Sequence, residues 1–195
     1  MSFILTVLAT LTVGVVYASV FEWFVHRYML HRPLWKLRHP FDAHARTHHR
    51  LFRADESYHL KHIEHRQKVH MLGWSPLIIA IGFIPFAIGS FTLTCSGWES
   101  MAVLGSGMFV CIGYYVAYEY LHWCMHLPKE RHLESSRLFI RLNGHHILHH
   151  RYMGTNFNVV CPLADLAFGT LLLRSKIPFP QVRGPSVPDV QPLSA

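Results

Sequence analysis

The sequence predicts an all-α integral membrane protein with about three transmembrane helices and a helical, histidine-rich cap on the cytoplasmic side. Three observations predict it. Three apolar stretches approach the length of about 20 residues that a bilayer-spanning helix needs. All 18 Lys and Arg fall in two segments, one after the first stretch and one after the third. The 17 histidines fall in the same two segments. A 51% hydrophobic content over 195 residues agrees with a membrane protein of one domain.

The first apolar stretch is 3–24 (FILTVLATLTVGVVYASVFEWF). No basic run precedes it, so it reads as an uncleaved span rather than a signal peptide, although Val16-Tyr17-Ala18 resembles a cleavage site. The second is 72–93, where Pro76 and Pro85 are expected to kink the helix. The third is 101–121, joined to the second by a tight hairpin of seven residues that includes Gly97 and Ser100. Residues 25–70 are expected as short helices broken at Pro33 and Pro40. Residues 122–150 should extend the third span, turn near Leu127-Pro128 and resume as a helix from about Glu130. Residues 157–173 are apolar but carry Pro162 and Asp165, which favours an interfacial or re-entrant segment over a fourth span. Residues 1–175 thus form a single membrane-embedded domain, and the proline-rich 176–195 reads as a disordered tail.

Ten Lys and Arg lie between Arg27 and Lys68 and eight between Lys129 and Arg183. With three spans and the amino terminus outside, the positive-inside rule puts both segments, all the histidines and the carboxy terminus in the cytoplasm. A net charge of +7 is accounted for by cations meeting anionic headgroups, and no zinc-finger or homeodomain pattern points to nucleic acid. Cys95, Cys111, Cys124 and Cys161 form no CxxC pair and read as apolar filler.

The histidines form four groups. His122-x3-His126 (HWCMH) places two imidazoles one helical turn apart, and His146, His149 and His150 (HILHH) stand at i, i+3 and i+4. The first basic segment repeats this with His26-x4-His31 (HRYMLH) and His44-x3-His48-His49 (HARTHH). Each half of the chain therefore offers a pair and a trio, and five imidazoles can converge in each. His26 and His31 lie about 140° apart on a regular helix. A helix ended by Pro33 lets His31 swing back from a loosened last turn. His39, His59, His62, His65, His70 and His132 read as polar interface residues, and His145 as a neighbour or substitute for His146. Ten neutral nitrogen donors exceed what one metal holds, so two metals are implied, and imidazole alone does not name the element.

The order HRYMLH, HARTHH, HWCMH, HHILHH resembles the fatty acid hydroxylase superfamily of integral-membrane non-haem di-iron oxygenases, which includes sterol desaturases and carotenoid hydroxylases. The resemblance runs from Glu22 to about Thr170 and is most specific in EWFVHRYMLH and HHRYMGTNFNVVCPLADLAFGT. It implies metal ligation by His26, His31, His44, His48, His49, His122, His126, His146, His149 and His150. Two iron ions are expected, with zinc able to replace them in purified samples, and O2 as co-substrate. The reaction implied is insertion of oxygen into a C–H bond of a membrane lipid with a fatty acyl or sphingolipid-like chain. A carotenoid or sterol hydroxylase or desaturase shares the scaffold, and a non-catalytic metal-binding or metal-transport protein is the alternative of another class. No ionisable residue lies in the middle of a span, which speaks against transport.

The chain departs from the family pattern at Asn156-Phe157-Asn158, where NFG is usual, at Ala164, where an aromatic often precedes the aspartate, and in having three evident spans where many relatives have four. Glu22, at i−4 from His26, and Glu119, at i−3 from His122, are candidates to fix ligand tautomers, with a salt bridge to Arg as the alternative role. Tyr114, Tyr115, Tyr118 and Tyr120 fit an interfacial aromatic belt better than a substrate path. With no GxGxxG fingerprint and no CxxCH haem site, electrons are expected from a separate donor: a ferredoxin, a cytochrome b5-like protein or a reductase.

Reporter fusions after residues 60 and 195 should both read cytoplasmic, and one near Trp98 external. An external signal from the carboxy terminus would overturn the three-span topology.

Overall fold

The computed structural model describes residues 2–33, 35–36, 38–69, 75–93, 97–129 and 131–173. Among these the chain is helical and contains no strand. The prolines after Ile177, residues 94–96 of the expected seven-residue hairpin, His70 and the start of the second apolar stretch lie outside the described residues.

Helix α1 (Phe3–Val25) starts at Ser2, whose side chain accepts from the Leu5 N–H, and it continues without a break into a π-helical turn, His26–Leu30. Two α-helical turns, His39–Phe41 and His49–Leu51, flank a second π-helix, Asp42–His48. A 3₁₀ turn (Ile63–Lys68) precedes α2 (Ser75–Leu93), which runs through Pro85. Helix α3 spans Gly97–His126. The chain then turns at Leu127-Pro128 as expected, but a 3₁₀ turn, His132–Ser135, intervenes, and α4 (Arg137–Arg151) begins only where the Ser136 side chain caps the Phe139 N–H. A short helix, α5 (Leu163–Ala167), lies within the closing loop.

Two of these helices are long and apolar enough to cross a membrane: Phe3–Leu30, with its π extension, and Gly97–His126. The apolar part of α2 is shorter over its described length. Little of either long helix is covered by protein, with Leu8, Val13, Val16, Phe109, Ile112 and Val116 all exposed.

Helix α3 packs against both α1 and α2, and small residues set the approach. Gly14 of α1 faces Val110, where an added Cβ would come within 3.0 Å. Gly107 faces Phe86, where it would come within 2.5 Å. Ser90 and Ser100 each donate a hydroxyl to the other's carbonyl at 3.2 Å, joining α2 to α3 at the end away from the histidines. The cap is held by a separate core of Tyr58, Cys124, Met125, Phe139, Leu142 and Val159. Cys124 thus serves as the apolar filler expected of it.

One face of α1 is not apolar. Ser19, Glu22, Trp23 and His26 are spaced as one helical stripe, and all are buried against the loop of residues 156–173. Ser19 accepts from the Ala164 N–H and donates to the Cys161 carbonyl, and the Trp23 indole N–H donates to Thr170 Oγ1 at 2.9 Å. The stripe straps the closing loop onto the helix and delivers His26 into the cap.

Gly107→Val should force Phe86 out of place and destabilise the helix pairing by about 1–3 kcal/mol. Gly105→Val, whose Cβ meets nothing, should not. Thermal unfolding in detergent measures the difference.

Candidate metal centre

The ten histidines singled out by spacing converge into two buried clusters of five, and each cluster could hold a metal ion. Their membership differs from that expected from the halves of the chain. The first cluster is His26, His31, His44, His49 and His149, and the second is His48, His122, His126, His146 and His150. In each cluster the ligand nitrogens all lie within 4.8 Å of one another. The clusters abut, with the His49 ring stacked on the His150 ring at 4.2 Å.

The difference has a geometric cause. Neighbours on a helix project about 100° apart, so His48 and His49 cannot point to one centre, nor can His149 and His150. Each trio splits, and one member crosses to the other half's cluster. In the second cluster both α-helical pairs keep their i, i+4 spacing: the His122 and His126 rings lie 4.9 Å apart, and His146 and His150 meet at 3.0 Å between Nε2 atoms. The two pairs join where His126 and His146 approach to 3.1 Å between Nε2 atoms.

The first cluster is built on a spacing of five. A π-helix closes i→i+5 bonds and so lays residues five apart along one face. The His31 N–H donates to the His26 carbonyl, and the two rings stack at 5.1 Å. His44 and His49 are paired in the same way by the second π-helix, with Nε2 atoms 3.1 Å apart. The awkward spacing is therefore resolved by π turns within the helices, not by a frayed end at Pro33.

The outward nitrogens set the tautomers. Nδ1–H of His26 donates to the Phe157 carbonyl, His48 to Lys68, His126 to Tyr58, His149 to Thr155 and His150 to Phe52, over 2.5–3.2 Å. A ring that donates from Nδ1 presents the Nε2 lone pair to the centre. All five acceptors are backbone carbonyls of segments between or closing the long helices, where such groups are not consumed by α-helical bonding. No residue-type pattern could have signalled them.

Glu22 and Glu119 do not fix these tautomers. His26 is held by the Phe157 carbonyl, and both ring nitrogens of His122 lack a hydrogen-bond partner. Glu119 accepts from the Tyr115 hydroxyl at 3.0 Å. Glu22 accepts from the Tyr114 hydroxyl, the Asn158 amide and the Val159 N–H at 2.7, 3.0 and 2.6 Å, so it fastens the segment whose carbonyl holds His26.

Asn158, where the resembled family usually has glycine, gives Glu22 that amide, donates also to the Ser19 carbonyl, and accepts from the Asp165 N–H. Asp165 in turn accepts from the Phe157 and Asn158 N–H groups and the Thr170 hydroxyl. Asn156 holds a positive φ of 53° and clamps Leu172 through both ends of its amide. The departure from the family pattern is thus a set of braces behind the cluster.

The residues fit a metal. Nε2 atoms 2.9–3.1 Å apart match two nitrogens at right angles about an ion, roughly 3.0 Å for bonds of about 2.1 Å. Buried nitrogens of His48 and His122 have no hydrogen-bond partner. Converging lone pairs without a cation would repel one another. Burial and neighbouring imidazoles drive His31 down to about 3; burial also takes His48 to about 3 and His149 to about 4, so all three are neutral donors at physiological pH.

His145 is half-buried and belongs to neither cluster, and it is His146 that joins the second one. His39, His59, His62, His65 and His132 also lie outside both. Tyr114, Tyr115 and Tyr118, read from sequence as a belt, line an apolar groove between α1, α2 and α3, while Tyr120 is exposed. The groove is walled by Phe21, Ile78 and Ile79, and Glu22 and His26 are among the residues that line it. The Tyr118 hydroxyl is buried without a partner, and its ring stacks on His122 at 5.7 Å.

No protein family, curated protein or solved structure matches this chain.

The crossed membership separates two metal-loss patterns. The double variant His48→Ala/His150→Ala should keep about one ion, in the first cluster, and His49→Ala/His149→Ala about one, in the second. His48→Ala/His49→Ala should lose both, whereas His132→Ala should keep two. Elemental analysis reads the counts, and a His48→Ala/His49→Ala variant that retains one full site would restore the half-by-half arrangement.

Proposed function

We propose that the chain is an O2-dependent di-iron hydroxylase that inserts oxygen into a C–H bond of a membrane lipid, a fatty acyl or sphingolipid-like chain. The observation that carries this reading is an apolar groove, bounded by the three apolar helices, whose lining includes His26, a member of one of two abutting five-imidazole clusters. The resemblance of the four histidine groups to the fatty acid hydroxylase superfamily supports it. When bound, two iron ions supply the O2 activation that attack on an unreactive C–H bond requires.

The chain's own residues do the rest. All ten ligands are neutral imidazoles, and the five with carbonyl-bonded Nδ1–H groups are held in one tautomer and orientation. Phe21, Ile78 and Ile79 exclude water from the groove and match a hydrocarbon chain. Tyr118 is the polar group on that wall with an unused hydroxyl, available to hydrogen-bond a new alcohol. In this reading α1, α2 and α3 each cross the bilayer, and the cationic segments put the clusters and carboxy terminus on the cytoplasmic side. A chain in the membrane then enters sideways between helices. Electrons come from a separate donor protein.

With a reducing system and isotopically labelled O2, the metal-loaded protein should add one labelled oxygen atom per product lipid. An alkene as the only product would reassign it to desaturation. Absence of O2 consumption with acyl lipids, sphingolipids, sterols and carotenoids would leave a metal-binding protein without oxygen chemistry.

A further inference from the structure

Of the ten cluster histidines, His31 alone is partly exposed, while the other nine are buried. It lies in an open cleft together with His49, and the cleft is rimmed by Arg27, Arg32, Arg46 and Arg50. No carboxylate lines it; Asp42, just outside, bonds Arg46 at 3.2 Å. Arg32, Arg46 and Arg50 are exposed. Every ligand of the second cluster is buried. Among the described residues, the one partly exposed cluster histidine thus lies in the arginine cleft.

We propose that this cleft is the docking surface of the electron donor, a small one-electron carrier protein with an acidic face, and that electrons enter through the edge of His31. The proposal rests on the hydroxylase reading. Hydroxylation of RH consumes O2, two electrons and two protons and yields ROH and water, so the carrier is oxidised by one electron twice per turnover. Four arginines with no lining acid attract an acidic surface and speed its encounter, and the short path from cleft to cluster gives that encounter a purpose. Anionic headgroups would also meet arginines, but the route for a lipid chain is the separate apolar groove that His26 helps to line. The cleft is lined by His31 and His49 and, beside Phe41, Met153 and Phe157, by four arginines, whereas the groove's lining holds no Lys or Arg.

The test uses full-length, metal-loaded protein in uncharged detergent, with an acidic plant-type [2Fe–2S] ferredoxin as probe. Binding is measured directly, and turnover is driven either by the reduced ferredoxin or by photoreduced deazaflavin. Arg32→Glu/Arg46→Glu should weaken ferredoxin binding and raise its apparent KM by about tenfold or more at low salt. Metal content and deazaflavin-driven turnover should not change. Added salt should weaken wild-type binding, and Lys129→Glu, outside the cleft, should behave as wild type. Ferredoxin binding indifferent to the double substitution would overturn the proposal. So would a loss confined to binding of phosphatidylglycerol vesicles, which would make the cleft a headgroup site. Failure of the hydroxylase reading shows separately, as no oxygenated lipid from wild type with deazaflavin, while the binding measurement still decides the docking surface.

Discussion

Two side chains adjacent on a helix cannot reach the same point, and the arrangement of this molecule follows from that. His48-His49 and His149-His150 each straddle the boundary between two centres, so each pair sends one imidazole either way. A cluster is then never the property of one half of the chain. The first takes His149 from α4 and the second takes His48 from the π-helical segment, and the halves are tied as two links of a chain are tied. The residues that force this are neighbours in sequence, yet they set contacts about 100 positions away.

Holding ten imidazoles in place also demands hydrogen-bond acceptors for the outward nitrogens, and an α-helix has few carbonyls to spare. The irregular segments supply them, from Phe52, Tyr58, Lys68, Thr155 and Phe157. The loops are accordingly pinned. Tyr58 is fully buried with its hydroxyl on Asn143, and the closing loop is fastened through Asp165, Asn158 and Glu22 to the polar stripe of α1. A carboxylate inside an apolar helix is costly unless its oxygens are satisfied. Glu22 has three donors, and through them an apolar helix is coupled to the tautomer of a metal ligand.

The ten converging histidines were legible in the sequence because imidazoles repeated at one-turn spacings beside apolar helices suit a shared centre far better than core packing, and all ten lie in the clusters. Their partition was not legible. Assigning ligands by chain segment ignores the turn between His48 and His49, and reading His26 and His31 on an α-helix hides the π turn that aligns them. Glu22 was noticed for its position, but its partner is a loop some 136 residues away, which helical offsets cannot reveal. The tyrosines of α3 were discounted as a belt because their companions in the groove, Phe21 and Ile78, come from other helices. The apolar helices were evident from composition, since nothing but hydropathy is needed to recognise them.

The two π turns carry a further meaning. A π turn is an α-helix holding one residue more than its hydrogen-bond pattern accommodates, and such turns are rare because the packing around them is poorer. Both in this protein lie where His26–His31 and His44–His49 grip a common centre. The surplus residue is thus kept in register by what the side chains grasp, much as a ratchet tooth is kept by its pawl. Were an ion bound in the first cluster, its loss would release both teeth at once, beside His31, the one partly exposed histidine of the ten.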